Sequence, residues 1–108
     1  MSHSWLEQYP ANVDAEIDIP EGTHIAALID STCRQYASKT ALSCMGADLS
    51  FRQFERLSSD FAAYLQHELH LKKGDRMAIM LPNIMQFPIA FFAATKLGIV
   101  CVLSLIHI

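Results

Sequence analysis

Charge is scarce in this chain. Only 18% of its 108 residues are Asp, Glu, Lys or Arg, while 52% are apolar. An average soluble domain carries about 25% charged residues. A small domain buries a smaller fraction of its surface than a large one, so it needs proportionally more polar residues. A charge deficit in so short a chain points to a piece of a larger core. The length suits one domain and not two. Basic excess is also absent: the net charge is −3, which argues against a nucleic-acid partner, whose binding needs a positive footprint. Four glycines and four prolines exclude collagen-like and mucin-like sequences. High charge with low apolarity, the mark of disorder, is missing too. Cys33, Cys44 and Cys101 are odd in number and form no CxxC pair, so a redox motif or zinc ribbon has no support. They read as reduced thiols packed as small apolar groups in a cytosolic protein. The start, Met1 to Glu7, lacks the basic stretch and apolar run of a signal peptide.

What is present is an apolar C-terminal run. From Phe87 to Ile108 the only formally charged residue is Lys96. A run of about 20 apolar residues could span a bilayer. Against that, a lysine near the centre costs roughly 2.5–3.5 kcal/mol, Gly98 divides the run, and no Lys/Arg cluster flanks it. A buried helix followed by a buried strand fits better than a membrane span.

Residues 1–22 read as an irregular acidic head, punctuated by Pro10 and Pro20, in which Trp5, Leu6 and Tyr9 could form a helical turn. Thr23 reads as the N-cap of a helix whose apolar face is Ile25, Leu28, Ile29, Cys33, Tyr36 and Ala37. Thr40–Met45 and Asp48–Ser50 read as a short hairpin about a Gly46-Ala47-Asp48 turn. Ser50 and Gln53 form a capping-box pattern. The helix they open presents Phe51, Phe54, Leu57, Phe61, Tyr64 and Leu65 on one face. Lys72-Lys73-Gly74 suits a helix C-terminus. Arg76–Leu81 reads as a strand covered on both faces. Asn83 reads as the cap of an all-round apolar helix, Met85–Leu97, with Pro88 either at its first position or at a kink. Gly98 ends it, and Ile99–Leu103 returns as a strand. Strand, helix and strand make a βαβ unit with parallel strands.

Candidate chemistry is thin. His67-Glu68-Leu69-His70 has its histidines three apart, not the four a zincin helix requires, and reads as a solvated helix end. The isolated glycines build no phosphate cradle. Ser58, Ser59 and Asp60 fall on the polar side of their helix, where solvation is the default. Lys72-Lys73-Gly74-Asp75 reads as a cap and turn. Met77, Met80 and Met85 with Phe87, Phe91 and Phe92 could line a lipid pocket, but core packing explains them better. Ligands of open α/β sheets sit beyond the carboxyl ends of the strands, which puts Asn83 and Ser104 nearest any site, with no role assigned to either.

Three segments carry a family resemblance: Leu49-Ser50-Phe51-Arg52-Gln53-Phe54, Lys73-Gly74-Asp75-Arg76-Met77-Ala78-Ile79, and Leu81-Pro82-Asn83-Ile84-Met85-Gln86-Phe87-Pro88-Ile89-Ala90-Phe91-Phe92. From Trp5 to about Val102 the chain resembles the N-terminal part of acyl-adenylate-forming (AMP-binding) enzymes, most of all bacterial long-chain fatty acid–CoA ligases. The third segment is the most specific. The resemblance implies an α/β fold: a partial N-terminal subdomain with a small β-hairpin, amphipathic helices and one βαβ unit. It implies a parent enzyme that uses ATP and Mg²⁺ to convert a fatty acid to an acyl-adenylate, which coenzyme A then takes as a thioester. The family's phosphate loop, adenine-binding motif, magnesium glutamate and C-terminal lysine lie downstream. No residue here matches them, so no catalytic, cofactor-binding or metal-binding residue is assigned.

The resemblance divides the chain into a head, 1–22, a partial AMP-binding domain, 23–102, and a tail, 103–108. After Val102 the family continues into a polar, Asn-rich turn. This chain reads Leu103-Ser104-Leu105-Ile106-His107-Ile108. The expectation is a foreign tail on a truncated, inactive ligase fragment. Its partners are the remainder of the ligase, with fatty acid and coenzyme A as the parent's substrates. The expected location is the cytoplasm, with peripheral contact at the inner face of the cell membrane. Two other readings stand beside it: a lipid-binding or protein-interaction module built on Met77–Phe92, and a membrane anchor through Phe87–Ile106.

Overall fold

A computed structural model describes residues 4–104. A 3₁₀ turn over Ser4–Gln8 opens the expected head, and every residue from Glu7 to His24 is exposed. The first helix, α1, is Ile25–Gln35, and its cap is His24, not Thr23. The His24 backbone is extended, and its imidazole Nδ1 accepts from the Ala27 amide at 3.2 Å. The buried stripe is also turned from the one expected. Cys33 is buried and Ala26, Ile29, Asp30 and Ala37 are half-buried, while Ile25, Leu28 and Tyr36 are exposed. Asp30 is drawn inward by an ion pair described below, and the helix turns with it.

Strands β1 (Thr40–Cys44) and β2 (Ala47–Ser50) form the antiparallel hairpin. Its turn is the two-residue Met45-Gly46, with φ of 52° and 84°, one step earlier than the glycine position suggested. Positive φ at both central residues matches the twist of the flanking strands. Ser50 ends β2 and caps α2 (Phe51–His67). The Gln53 amide donates to Ser50 Oγ at 3.2 Å, and the Ser50 amide donates to Gln53 Oε1 at 2.8 Å. The Phe51 and Arg52 amides donate to the Lys39 and Ala37 carbonyls. The Ser50 hydroxyl and these two carbonyls together leave none of α2's first three amides without an acceptor.

Helix α2 stops at His67, so Lys72-Lys73-Gly74 is not its C-terminus. These residues form a tight turn: the Asp75 amide donates to the Lys72 carbonyl, and the Lys72 amide donates to Asp75 Oδ2 at 2.7 Å. The Asp75 carbonyl then accepts from the Val100 amide at 2.7 Å. That bond starts the parallel pairing of β3 (Arg76–Ile79) with β4 (Val100–Leu103). Helix α3 (Gln86–Leu97) connects them, completing the expected βαβ unit.

Asn83 does not cap α3. The residue before its first turn is Met85, with no side-chain hydrogen bond. Pro88 is the third residue of α3 and has no N–H, so the donor that a capping side chain most often serves does not exist here. At the other end Gly98 takes a left-handed conformation, φ 71°. Its amide donates to the Thr95 carbonyl, and the Ile99 amide donates back to Ala94. This is a Schellman closure, sealed by contact between Ala94 and Ile99 in the core.

The core lies between α2, α3 and the parallel pair. Ala62, Leu65, Ala93, Ala94 and Ile99 are buried together, with Phe61, Leu71, Met77, Leu97 and Cys101 against them. Small residues on both helices allow close approach, and Phe54 meets Phe92 edge to face at 5.6 Å between centroids. Every residue of α3 after Gln86 is at least partly buried. The strands are covered on one face only: Met77 and Ile79 face inward, while Ala78, Val100 and Val102 are exposed. Expected cover on the second face is therefore absent among the described residues. The radius of gyration is 17.4 Å, against about 13 Å for a compact domain of this length.

Candidate functional site

The carboxyl end of the parallel pair is the first place to look. The Ser104 amide donates to the Ile79 carbonyl at 3.1 Å, so Ser104 extends the ladder. Asn83 is exposed and lines a cleft of about 230 Å³ with Leu42, Ser43, Cys44 and Met85. Among the described residues no carboxylate, histidine, lysine or arginine lines that cleft.

The strongest electrostatic feature lies elsewhere, where α1, α2 and α3 meet. Lys96 Nζ of α3 sits 2.6 Å from Asp30 Oδ1 of α1 and 3.5 Å from Glu55 Oε1 of α2. The Lys96 side chain is only 16% exposed. Ser59 Oγ donates to the same Glu55 oxygen at 2.6 Å. Burial acts to lower the Lys96 pKa, but the hydrogen bond and charge of Asp30, aided by Glu55, hold it above the ordinary lysine value. Cys33 lies beside the group, in a cleft of about 450 Å³ with Asp30, Arg34, Arg52 and Glu55. Burial pushes the Cys33 thiol up, the Glu55 and Asp30 carboxylates push it further, and Lys96 opposes them. Neither potential nucleophile is activated: the amine is held as ammonium and the thiol as thiol. The arrangement locks three helices together.

Sequence reasoning missed this triad, whose members lie far apart in the chain. One signal existed. A lone lysine in an apolar helix needs a counter-charge if that helix is buried.

Of the residues weighed from the sequence, Ser58 moves furthest from expectation. It is 1% exposed, not solvated, and among the described residues its Oγ has no hydrogen-bond partner. The inward stripe of α2 is Phe54, Ser58, Ala62 and Leu65, whereas Leu57 and Tyr64 are exposed. His67, Glu68 and His70 are exposed at and beyond the end of α2. The methionines and phenylalanines do not close round one pocket. Met77 packs on the core, Met80 is exposed, and Phe87, Phe91 and Phe92 pack in series along α3. An apolar cleft of about 620 Å³ lies between α2 and α3 and is lined by Leu57, Phe61, Tyr64, Leu81, Ile89 and Ala90.

Among the described residues no helix is long and apolar enough to cross a membrane. The run proposed as an anchor divides between helix α3, from Phe87 to Leu97, and the strand β4. Its end beyond Ser104 lies outside the described residues, as does 105–108 of the expected foreign tail. No group of three or more His, Cys, Asp or Glu among the described residues could hold a metal, and the Asp30–Glu55 pair already holds an ammonium. The glycines serve isolated turns and one helix end, not a phosphate loop.

Residues 29–105 match the family model for AMP-binding enzymes. Over 102 residues the chain is 42% identical to the long-chain-fatty-acid–CoA ligase of Yersinia pestis, covering 94% of this chain and 18% of that protein. The chain thus spans under a fifth of the length of the relative it matches. The N-terminal subdomain of Klebsiella oxytoca NpsA superposes with a TM-score of 0.74 at 25% identity, over 78% of this chain and 22% of that one. The VinN crystal structure gives a TM-score of 0.78 at 22% identity, over 84% of this chain and 24% of its own, a likeness of fold alone.

Proposed function

This chain belongs to the AMP-binding enzyme family, and we propose that it serves as a structural part of a long-chain fatty acid–CoA ligase. Its architecture is that of the α/β N-terminal subdomain of adenylate-forming enzymes. The observation that carries the proposal is the 42% identity to a ligase of that name across 94% of the chain. In such an enzyme ATP and a fatty acid give an acyl-adenylate and pyrophosphate. The coenzyme A thiol then attacks the acyl carbon, AMP leaves, and a thioester remains. ATP use goes with the family; the fatty acid, coenzyme A and Mg²⁺ belong to the proposal. So does a cytoplasmic location with peripheral contact at the inner face of the cell membrane.

Within that enzyme the role of this chain is mechanical. The capping box, the βαβ unit and the Lys96 triad fix three helices about a parallel strand pair, and the reacting groups belong to the rest of the polypeptide. The test is a full-length chimera in which residues 4–102 replace the matching segment of the Yersinia pestis ligase. It should form acyl-CoA from a long-chain fatty acid, while the 108-residue chain alone should release no pyrophosphate. A folded chimera without acyl-CoA formation refutes the ligase reading. Turnover by the chain alone refutes the mechanical role.

A further inference from the structure

We propose that residues 13–19 form a strap that closes in cis along the outward face of helix α1. The segment Val13-Asp14-Ala15-Glu16-Ile17-Asp18-Ile19 alternates apolar and acidic residues without exception. A period of two gives an extended chain one apolar face and one charged face. The segment belongs to no helix or strand, and Ile17 is 83% and Ile19 68% exposed. Helix α1 carries an apolar line on its own surface. Ile25, Leu28 and Tyr36 fall on one side of it and are 53%, 55% and 40% exposed. In the structure the strap stands open.

The junction is already built for closure. The Thr23 amide donates to the Pro20 carbonyl at 3.3 Å, and Gly22 has φ 78°. This is a reversing turn with glycine at its left-handed position, so an extended strap leaving it runs antiparallel to α1. An extended chain advances about 3.3 Å per residue and a helix about 1.5 Å. Counted back from Pro20, Ile19, Ile17 and Val13 stand about 3, 10 and 23 Å along the strap. Counted on from Thr23, Ile25, Leu28 and Tyr36 stand about 3, 8 and 20 Å along the helix. The pairs Ile19–Ile25, Ile17–Leu28 and Val13–Tyr36 therefore fall nearly level. Charge agrees with this direction. At the far end of α1 stand Arg34, in no ion pair among the described residues, and Lys39, whose ammonium lies 5.3 Å from the Tyr36 ring centroid. Closure brings Asp14 and Glu16 to these cations. The strap is a property of this chain and does not depend on the ligase reading.

Disulfide trapping tests this. Ile17→Cys is combined with Leu28→Cys in the 108-residue chain, which is oxidised with diamide, and the bridge is mapped by peptide mass. The control combines Ile19→Cys with Tyr36→Cys, which antiparallel closure keeps about 17 Å apart along the axis. The first pair should bridge at least tenfold faster than the second. Gly22→Val meets nothing within 4 Å but strains the turn, and it should slow the first pair about fivefold or more. Equal rates for the two pairs, no bridge in the first, or no effect of Gly22→Val overturns the strap. A bridge that joins two chains and quickens with concentration identifies exchange between copies and overturns closure in cis.

Discussion

Replacing Lys96 with methionine keeps the aliphatic stem and removes the ammonium. Asp30 and Glu55, both within 3.5 Å of that ammonium, are left facing each other with no counter-charge. Exposed ion pairs contribute about 0–1 kcal/mol, and breaking a fully buried pair costs about 3–5 kcal/mol. Here the lysine is 16% exposed and the carboxylates 38% and 39%, so the expected loss is about 1–2 kcal/mol between those limits. For a domain of this size that lowers Tm by roughly 5–15 °C. Asp30→Asn in the Lys96→Met background should cost less than in the native chain, because there it removes an orphaned charge. Differential scanning calorimetry of the four chains at pH 7 measures both effects. The Lys96 pKa is raised in the folded state. Its contribution is therefore complete below the unfolded lysine value, about 10.4, and disappears as pH rises through the higher folded value. The gap between native and variant should stay constant from pH 7 to 9 and narrow above 10.4. Native and Lys96→Met chains melting within 1 °C of each other at pH 7 would refute the reasoning.

Gly98→Ala places a Cβ 2.9 Å from Lys73 Cγ at φ 71°. The left-handed backbone alone costs roughly 1–2 kcal/mol, so Tm should fall by about 5–15 °C. Lys73→Ala should recover only the steric part. Ser58→Ala removes a buried hydroxyl that has no partner among the described residues; its urea midpoint should be unchanged or higher, since the loss of an unpaired buried polar group carries no penalty. Ser50→Ala removes the hydroxyl that accepts from the Gln53 amide and leaves the residue-50 amide able to donate to Gln53 Oε1; it should cost about 1 kcal/mol in the same assay. Iodoacetamide should modify Cys33 slowly at pH 8, since burial and the two carboxylates raise its pKa. Lys96→Met should slow the reaction further in chains that remain folded, because the opposing ammonium is gone; faster modification there would contradict the assigned electrostatics.

Local chemistry made much of this fold readable from the sequence. Ser50 and Gln53 signal α2 through bonds spanning three residues, and Gly98 signals the end of α3 because few other residues take its φ. The βαβ unit follows from two apolar runs flanking a helix. What failed depended on partners distant in the chain. The stripe of α1 could not be placed without knowing that Lys96 draws Asp30 inward. Ser58 looked solvated because its neighbours in sequence are polar, yet the inward line from Phe54 to Leu65 passes through it. Asn83 looked like a cap because Gln86 stands three residues on, but α3 begins only at Gln86, which puts Met85 and not Asn83 before its first turn. The candidate site was legible only as an absence of motifs; its charged triad needed the tertiary structure.

The charge deficit seen in the composition now has a location. It does not lie in the head, which is acidic and exposed. It lies in the cleft residues Leu57 and Tyr64 and on the open strand face, where Val100 and Val102 stand exposed beside Ala78. Parallel sheets are covered on both faces because their crossovers place helices there, and β-branched residues on the second face suit such cover. A strand pair evolved to face water would alternate polar residues at these positions. Apart from Arg76 on the strand face and Asp60 in the cleft, both surfaces carry apolar side chains, which suits a subdomain spanning under a fifth of its ligase relative if the rest of that enzyme packs against it.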